Sequence, residues 1–236
     1  MSVIQSDLSG HVALITGASR GIGRAISRRL AAHGAAVVVS ASARSCAGLD
    51  ETRELICQGG GQAASVEADL ANAVTRERLV ARAAEYFGPI DILVNNAAAI
   101  SAYAPPSTID LPARQAMFEV NLQAPIDLIQ QALPAMRSRG WGRILNISSE
   151  TAQPPPILLA GPARLVHALV LYGASKAALD RYTLGLAAEL HGTGITVNSL
   201  APYRIAASES AAQVAALVAK TKPEWVEPLE MMAEGA

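Results

Sequence analysis

Short β-branched runs alternate with longer Ala- and Leu-rich stretches along this chain, and few folds accept that alternation. "HVALIT" (11–16) reads as a strand, "GIGRAISRRLAAHG" (21–34) as a helix and "AAVVVS" (35–40) as the next strand. "GLDETRELICQGG" (48–60) is helical and closes on glycines, as helices often do. A third strand, "QAASVEAD" (62–69), leads into a helix, "AVTRERLVARAAEYFG" (73–88). "IDILVNN" (90–96) is a fourth strand, followed by a helix over 112–139 and a fifth strand, "GRILNIS" (142–148). A helix over 172–191 and a sixth strand, "GITVNSLA" (194–201), complete the pattern. Strands separated by helices imply βαβ units and a parallel sheet. Strands this apolar need cover on both faces. The expectation is a doubly wound α/β sheet in a single domain spanning residues 1–236, with no internal boundary and no repeat.

The first strand runs into "TGASRGIG", Thr16 to Gly23. Gly17, Gly21 and Gly23 lie where a strand turns into a helix. Glycine permits positive φ and lets a pyrophosphate approach the backbone. The helix behind it offers free N–H groups and a positive dipole end. The same stretch, Gly17-Ala18-Ser19-Arg20-Gly21, also matches the G-x-S-x-G elbow of α/β-hydrolases. A hydrolase would need a later acid and then a histidine, His167 or His191. Against it, that elbow normally follows several strands, and here it opens the fold.

"LYGASK" places a phenol and an ammonium four positions apart, Tyr172 and Lys176, with only small residues between them. Four positions apart on a helix is one face, about 6 Å along the axis. A lysine that close stabilises a phenolate and is expected to lower the phenol pKa from about 10. A tyrosine so tuned exchanges protons near neutral pH. The competing reading is a surface helix whose tyrosine and lysine never interact.

Other functions are excluded by composition. A formal net charge of −1 does not make a nucleic-acid footprint. The start, "MSVIQSDLSG", lacks a basic region followed by an apolar one, so no secretory signal is expected. The longest apolar stretch, "ILLAGPARLVHALVL" (157–171), is interrupted by Gly161, Pro162, Arg164 and His167 and is too short to span a membrane. Cys46 and Cys57 give no disulfide framework and no CxxC, so reduced thiols in the cytoplasm and no metal site are expected. Aromatics at 4% against 51% hydrophobic residues mean a core of Ala, Val, Leu and Ile.

Several motifs stand in order: "TGASRGIG", Asp69-Leu70, "NNAA" (95–98), Asn121, "NISS" (146–149), "YGASK" (172–176) and "NSLAP" (198–202). Together they resemble the short-chain dehydrogenase/reductase family, including its carbonyl and 3-oxoacyl reductases, over nearly the whole chain. The resemblance implies a Rossmann-type fold and hydride exchange between a nicotinamide cofactor and a ketone or secondary alcohol. It implies a proton relay in which Tyr172 gives or takes the proton. Lys176 would lower the tyrosine pKa and bond the nicotinamide ribose. Ser149, the second serine of "NISS", would bond the substrate oxygen, with Ser148 the other candidate. Asn121 would hold a water extending the relay. Cofactor contacts are implied at Gly17, Ser19, Arg20, Gly21, Ile22 and Gly23, at Arg44, at Asp69 and Leu70, and at Asn95 and Ala97. Tyr172, Lys176, Pro202 and Ile205 complete that set. Asp69 would accept from the adenine amino group, and Asn95 would brace the strand beside the nicotinamide.

NAD-dependent relatives carry an acid near the end of the second strand, where it bonds the ribose hydroxyls. Here "VVVSASARS", Val37 to Ser45, has none. Arg20 opposes the dipole at a helix N-terminus, a penalty that a 2′-phosphate would offset. Arg44 would be a second contact, and arginine suits phosphate geometry. NADP(H) is therefore favoured over NAD(H), with a solvated Arg20 as the competing reading.

The pattern is broken in places. Ala98 and Tyr203 stand where the family usually has glycine, and Ala207 replaces a usual threonine. Tyr172 lies 23 positions after Ser149, a wider gap than the family usually has, so an insert falls within about 150–171. If Leu158, Leu159 or Val166 face the cleft, the substrate is an apolar ketone or alcohol. After Pro202 no β-branched run remains for the family's seventh strand, so a six-stranded sheet is expected, or a chain truncated from a longer one. A homodimer through the helices at 112–139 and 172–191 is expected, with tetramer formation weakened. The alternative is a non-catalytic cofactor-binding or scaffold protein on the same fold.

Overall fold

The computed structural model describes residues 7–101, 103–153, 169–202, 205, 206, 208, 216 and 226–236. Six parallel strands form the main sheet: β1 (Val12–Thr16), β2 (Ala36–Ala41), β3 (Ala63–Glu67), β4 (Ile92–Asn95), β5 (Gly142–Ile147) and β6 (Ile195–Leu200). Their order is β3-β2-β1-β4-β5-β6. The order reverses between β1 and β4, and their carboxyl ends there open the crevice in which such sheets bind ligands.

Side chains alternate across the sheet, as strand geometry requires. Val12 and Leu14 join one apolar layer with Val38, Leu93, Leu128 and Ile129. Ala13 and Ile15 join the other with Val37, Val39, Ile26 and Leu30. Helices α1 (Gly21–Ala32) and α2 (Cys46–Gln58) contribute Ile26, Leu30, Leu49 and Ile56 to the second layer. The first layer is covered by α3 (Ala73–Glu77), α4 (Leu79–Phe87) and α6 (Ala124–Arg139). Helix α7 (Val170–Glu189) adds Leu186 to it.

Two helices differ from their expected form. The helix expected over 73–88 is two, broken at Arg78. Just before the break the buried Arg76 binds the Leu70 carbonyl at 2.6 Å and the carboxylates of Glu119 and Asp127 at 2.7 Å each. The helix expected over 112–139 is α5 (Leu111–Phe118), a π turn at Glu119–Gln123, then α6. Pro125 explains the turn. It has no N–H for the carbonyl of Asn121, its α-helical acceptor four residues back. The N–H of Ala124 goes instead to Glu119, five back.

The main sheet has the six strands expected, with β6 at its edge. β7 (Ile205–Ala206) pairs in parallel with β8 (Val226–Glu227) in a separate two-stranded sheet. α8 (Leu229–Gly235) then packs on α1, putting Met232 and Ala233 into the second layer.

At the opposite end of the sheet from the crevice, Asp91 is 7% exposed. Its carboxylate accepts from the N–H of Val12 at 2.9 Å and pairs with Arg139 at 2.9 Å and His11 at 3.7 Å. Asp91→Ala leaves a buried N–H and a guanidinium without that partner. We expect it to lower stability by about 1–3 kcal/mol in urea unfolding.

Candidate active site

The glycine turn is built against the end of β4. Gly17 and Gly21 have φ of +63° and +56°. A Cβ on Gly17 would also lie 2.8 Å from the Cα of Ala97, so both backbone freedom and closeness require glycine there. Gly23 is a question of space alone: its Cβ would lie 2.5 Å from the Gly17 carbonyl and from Nδ2 of Asn96. That Nδ2 donates to the carbonyls of Thr16 and Gly17 at 2.8 and 3.0 Å. Thr16 Oγ1 accepts from the N–H groups of Asn96 and Ala97 at 3.1 Å each. Sequence reasoning singled out Asn95 and Ala97, whereas the residues gripping the turn are Asn96 and Thr16. The second Asn of "NNAA" was the available signal.

α1 starts at Gly21 without a side-chain cap and with no acid in its first turn. Its first N–H groups thus suit an anion. Ser19 is buried, Arg20 is exposed and Ile22 is half-buried against the second layer. Arg24, which sequence reasoning missed, ties the turn to α2. It donates to the Ser19 carbonyl at 2.5 Å, to Thr52 Oγ1 at 2.9 Å and to Glu51 at 2.7 Å. The elbow reading of Ser19 finds no support among the described residues. Its carbonyl belongs to Arg24, His191 lies past the far end of α7, and His167 is outside the described residues.

Beyond β2, Arg44 is exposed in a single turn of 3₁₀-helix, Ala43–Ser45. Glu67, in register with Ala41, accepts from Cys46 Sγ, which pushes the thiol pKa up. Asp69 is exposed, and its carboxylate accepts from the Ala71 N–H at 3.0 Å. Leu70 is buried. Pro202 follows β6 and Ile205 opens β7. Tyr203, Ala207, Leu158, Leu159 and Val166 lie outside the described residues.

The end of β5 meets α7 directly. Ser149 Oγ accepts from the N–H and the hydroxyl of Thr151 at 3.2 and 2.9 Å, capping the short turn Glu150–Ala152. Both bonds use it as acceptor, which leaves its O–H to donate. Ser148 is committed elsewhere, to Asp180 at 2.8 Å. Gly173 answers why bulk is absent between Tyr172 and Lys176: a Cβ there would overlap the Thr151 carbonyl. Lys176 is 1% exposed, and its Nζ donates to the Ile147 carbonyl at 2.7 Å and stands 5.8 Å from the centre of the Tyr172 ring.

Asn121 is fully buried. Its side chain accepts from the Ala99 N–H at 2.7 Å and donates to the Ala99 carbonyl and Ser175 Oγ at 3.0 Å each. The side chain therefore holds the segment after β4. Asn95 donates to Asn146 at 2.9 Å, and Asn146 to Thr183 at 2.8 Å, a polar chain from β4 to α7.

The expected lowering of the Tyr172 pKa is corrected. Burial pushes the phenol up to about 12, with Tyr103 adding to the rise. Burial also lowers Lys176 to about 8, against a smaller opposing effect of Asp180. Desolvation disfavours each charged form and is the larger influence on both groups. At neutral pH the phenol is protonated, not a phenolate.

The family model for short chain dehydrogenase matches residues 11–219. A ketoacyl reductase of Nostoc sp. is 38% identical over 195 residues, covering 83% of this chain and 63% of that protein. Glucose 1-dehydrogenase 2 of Bacillus subtilis is 37% identical over 201 residues, covering 85% and 74%. Among solved structures, a 3-oxoacyl (acyl-carrier-protein) reductase from Agrobacterium tumefaciens with NADP bound superposes with a TM-score of 0.84. It is 30% identical, with 99% of this chain and 89% of that one covered. A short chain dehydrogenase from Burkholderia cenocepacia in complex with NADP gives 0.81 at 34% identity, covering 96% and 89%. The chain belongs to the short-chain dehydrogenase/reductase family of NAD(P)-dependent oxidoreductases.

Proposed function

We propose that this chain reduces a ketone, or oxidises the matching secondary alcohol, with NADP(H) and with Tyr172 as the proton donor or acceptor. The observation that carries this reading is the buried Lys176, one helical turn from Tyr172 and held by the carbonyl of Ile147, two residues before Ser149. The open N–H groups of α1 and the glycine turn fit a pyrophosphate. NADPH, when bound, supplies the hydride to the carbonyl carbon. The Ser149 O–H donates to the carbonyl oxygen and orients it. Tyr172, protonated at neutral pH, passes its proton to that oxygen as negative charge develops. The Lys176 ammonium stabilises the phenolate left behind and bonds the nicotinamide ribose. The Asn121 carbonyl holds the water through which the proton is replaced.

The choice of NADP(H) rests on the absence of an acid at the end of β2 and on the exposed Arg20 and Arg44. Arg20→Ala should weaken NADPH by roughly 10- to 150-fold, the worth of a charge-assisted phosphate contact, and NADH far less. Fluorescence titration with both cofactors tests it; equal losses would remove Arg20 from the 2′-phosphate. A homo-oligomer through α5, α6 and α7 is in keeping with Leu111 and Leu184, which are 55% and 67% exposed. The reaction itself is tested by NADPH consumption that depends on an added carbonyl, across a panel of ketones of increasing apolar bulk. No consumption with any member, by a protein that binds NADPH, would favour a non-catalytic role.

A further inference from the structure

Asp180 lies one helical turn beyond Lys176 on α7, and no motif in the sequence pointed to it. Its two carboxylate oxygens are both occupied. Oδ2 accepts from Ser148 Oγ at 2.8 Å, and Oδ1 from Ser199 Oγ at 2.5 Å. Ser148 is the first residue after β5, the neighbour of Ser149, and Ser199 is the next-to-last residue of β6. The Ser148 N–H also donates to the Leu200 carbonyl at 2.8 Å. One carboxylate thus ties the carboxyl ends of two adjacent strands to the helix that carries Tyr172 and Lys176.

We propose that Asp180 is a positioning residue of the reaction, fixing Ser149 against α7 through Ser148 and keeping Lys176 a cation in its buried place. Bonds to a charged acceptor are stronger than neutral ones, so a carboxylate holds two serines in a way an amide would not. Groups four apart on a helix share a face, and the residues that Asp180 and Lys176 bond, Ser148 and Ile147, are neighbours at the end of β5. Other charges on the elements packed against α7 are engaged elsewhere or exposed. Glu119 pairs with Arg76, Glu150 is opposed by Glu227, Arg143 lies over Trp141 and Arg114 is exposed. Among the described residues Asp180 is the charge that acts on Lys176, and it opposes the effect of burial.

The test has an arm that does not need turnover. The chain has three lysines, Lys176, Lys220 and Lys222. In protein carrying ¹³C-labelled lysine, the ε-carbon signals can be followed by NMR against pH, with Lys176→Arg giving the assignment. Asp180→Asn should move the Lys176 titration to lower pH by about half a unit or more, because it removes the charge that favours the ammonium. Asp180→Glu should return most of that shift. In the activity arm, which rests on the reaction proposed above, Asp180→Asn should lower kcat by about tenfold or more, with NADPH affinity within about twofold. An active wild type whose Asp180→Asn variant matches it in kcat and in lysine titration would overturn the proposal. Failure of the reaction reading looks different: the wild type itself turns over no carbonyl. If Asp180→Asn does not fold, Ser148→Ala takes its place: it cuts the bond between the carboxylate and the neighbour of Ser149. A kcat matching wild type would then overturn the proposal, whereas a fall of about tenfold with NADPH affinity kept upholds it.

Discussion

Tyr172→Phe should reduce turnover by about 10²- to 10⁴-fold, the usual worth of a positioned proton donor, while NADPH affinity stays within a few-fold. The substitution removes one oxygen and little shape. The phenol is half-buried on α7, and the walls that frame it, Thr151 against Gly173 and Asn121 against Ser175, do not depend on its hydroxyl. Steady-state kinetics with the best ketone of the panel, beside a fluorescence titration of NADPH, separates chemistry from binding. A variant near wild-type kcat would remove Tyr172 from the reaction. A variant that loses NADPH binding as well would show that the hydroxyl takes part in holding the cofactor.

The second large effect is expected at Gly23→Ala. The new methyl would stand 2.5 Å from the Gly17 carbonyl and from Nδ2 of Asn96, neither of which can yield without opening the turn. Asn96 is itself the clamp on the Thr16 and Gly17 carbonyls, so the methyl displaces what holds the turn together. Overpacking of this kind costs about 1–3 kcal/mol. We expect a loss of that size in urea unfolding and a fall in NADPH affinity of at least about tenfold, since the phosphate-facing N–H groups move with the turn. Gly23 does not have positive φ, so the effect would be steric alone. Unchanged stability and affinity would mean that the turn is looser than its contacts imply.

The strands were legible because each is a run of apolar residues whose neighbours alternate between two covered faces, as Val12 to Ile15 do. The glycine turn and the Tyr172–Lys176 pair were legible because their chemistry is local in sequence. What escaped is tertiary. Asn96 acts on carbonyls about eighty residues away, and Asp180 acts on serines from two other elements. The direction of the Tyr172 pKa escaped for the same reason, since spacing reveals the lysine but not the burial that raises the phenol. β7 and β8 are two residues each, too short for any periodicity. The π turn was within reach: "NLQAP" sets Pro125 four residues after Asn121, the spacing at which a helix loses a donor.

The central claim is hydride exchange at a carbonyl carbon with Tyr172 moving the proton, and isotope transfer tests it most directly. NADPH carrying deuterium in both positions at nicotinamide C4 should leave the label on the carbinol carbon of the alcohol product, and NADH so labelled should do so much more slowly. Tyr172→Phe should suppress the transfer while still binding the cofactor. Alcohol formed without the label, or equal transfer by wild type and Tyr172→Phe, would contradict the account.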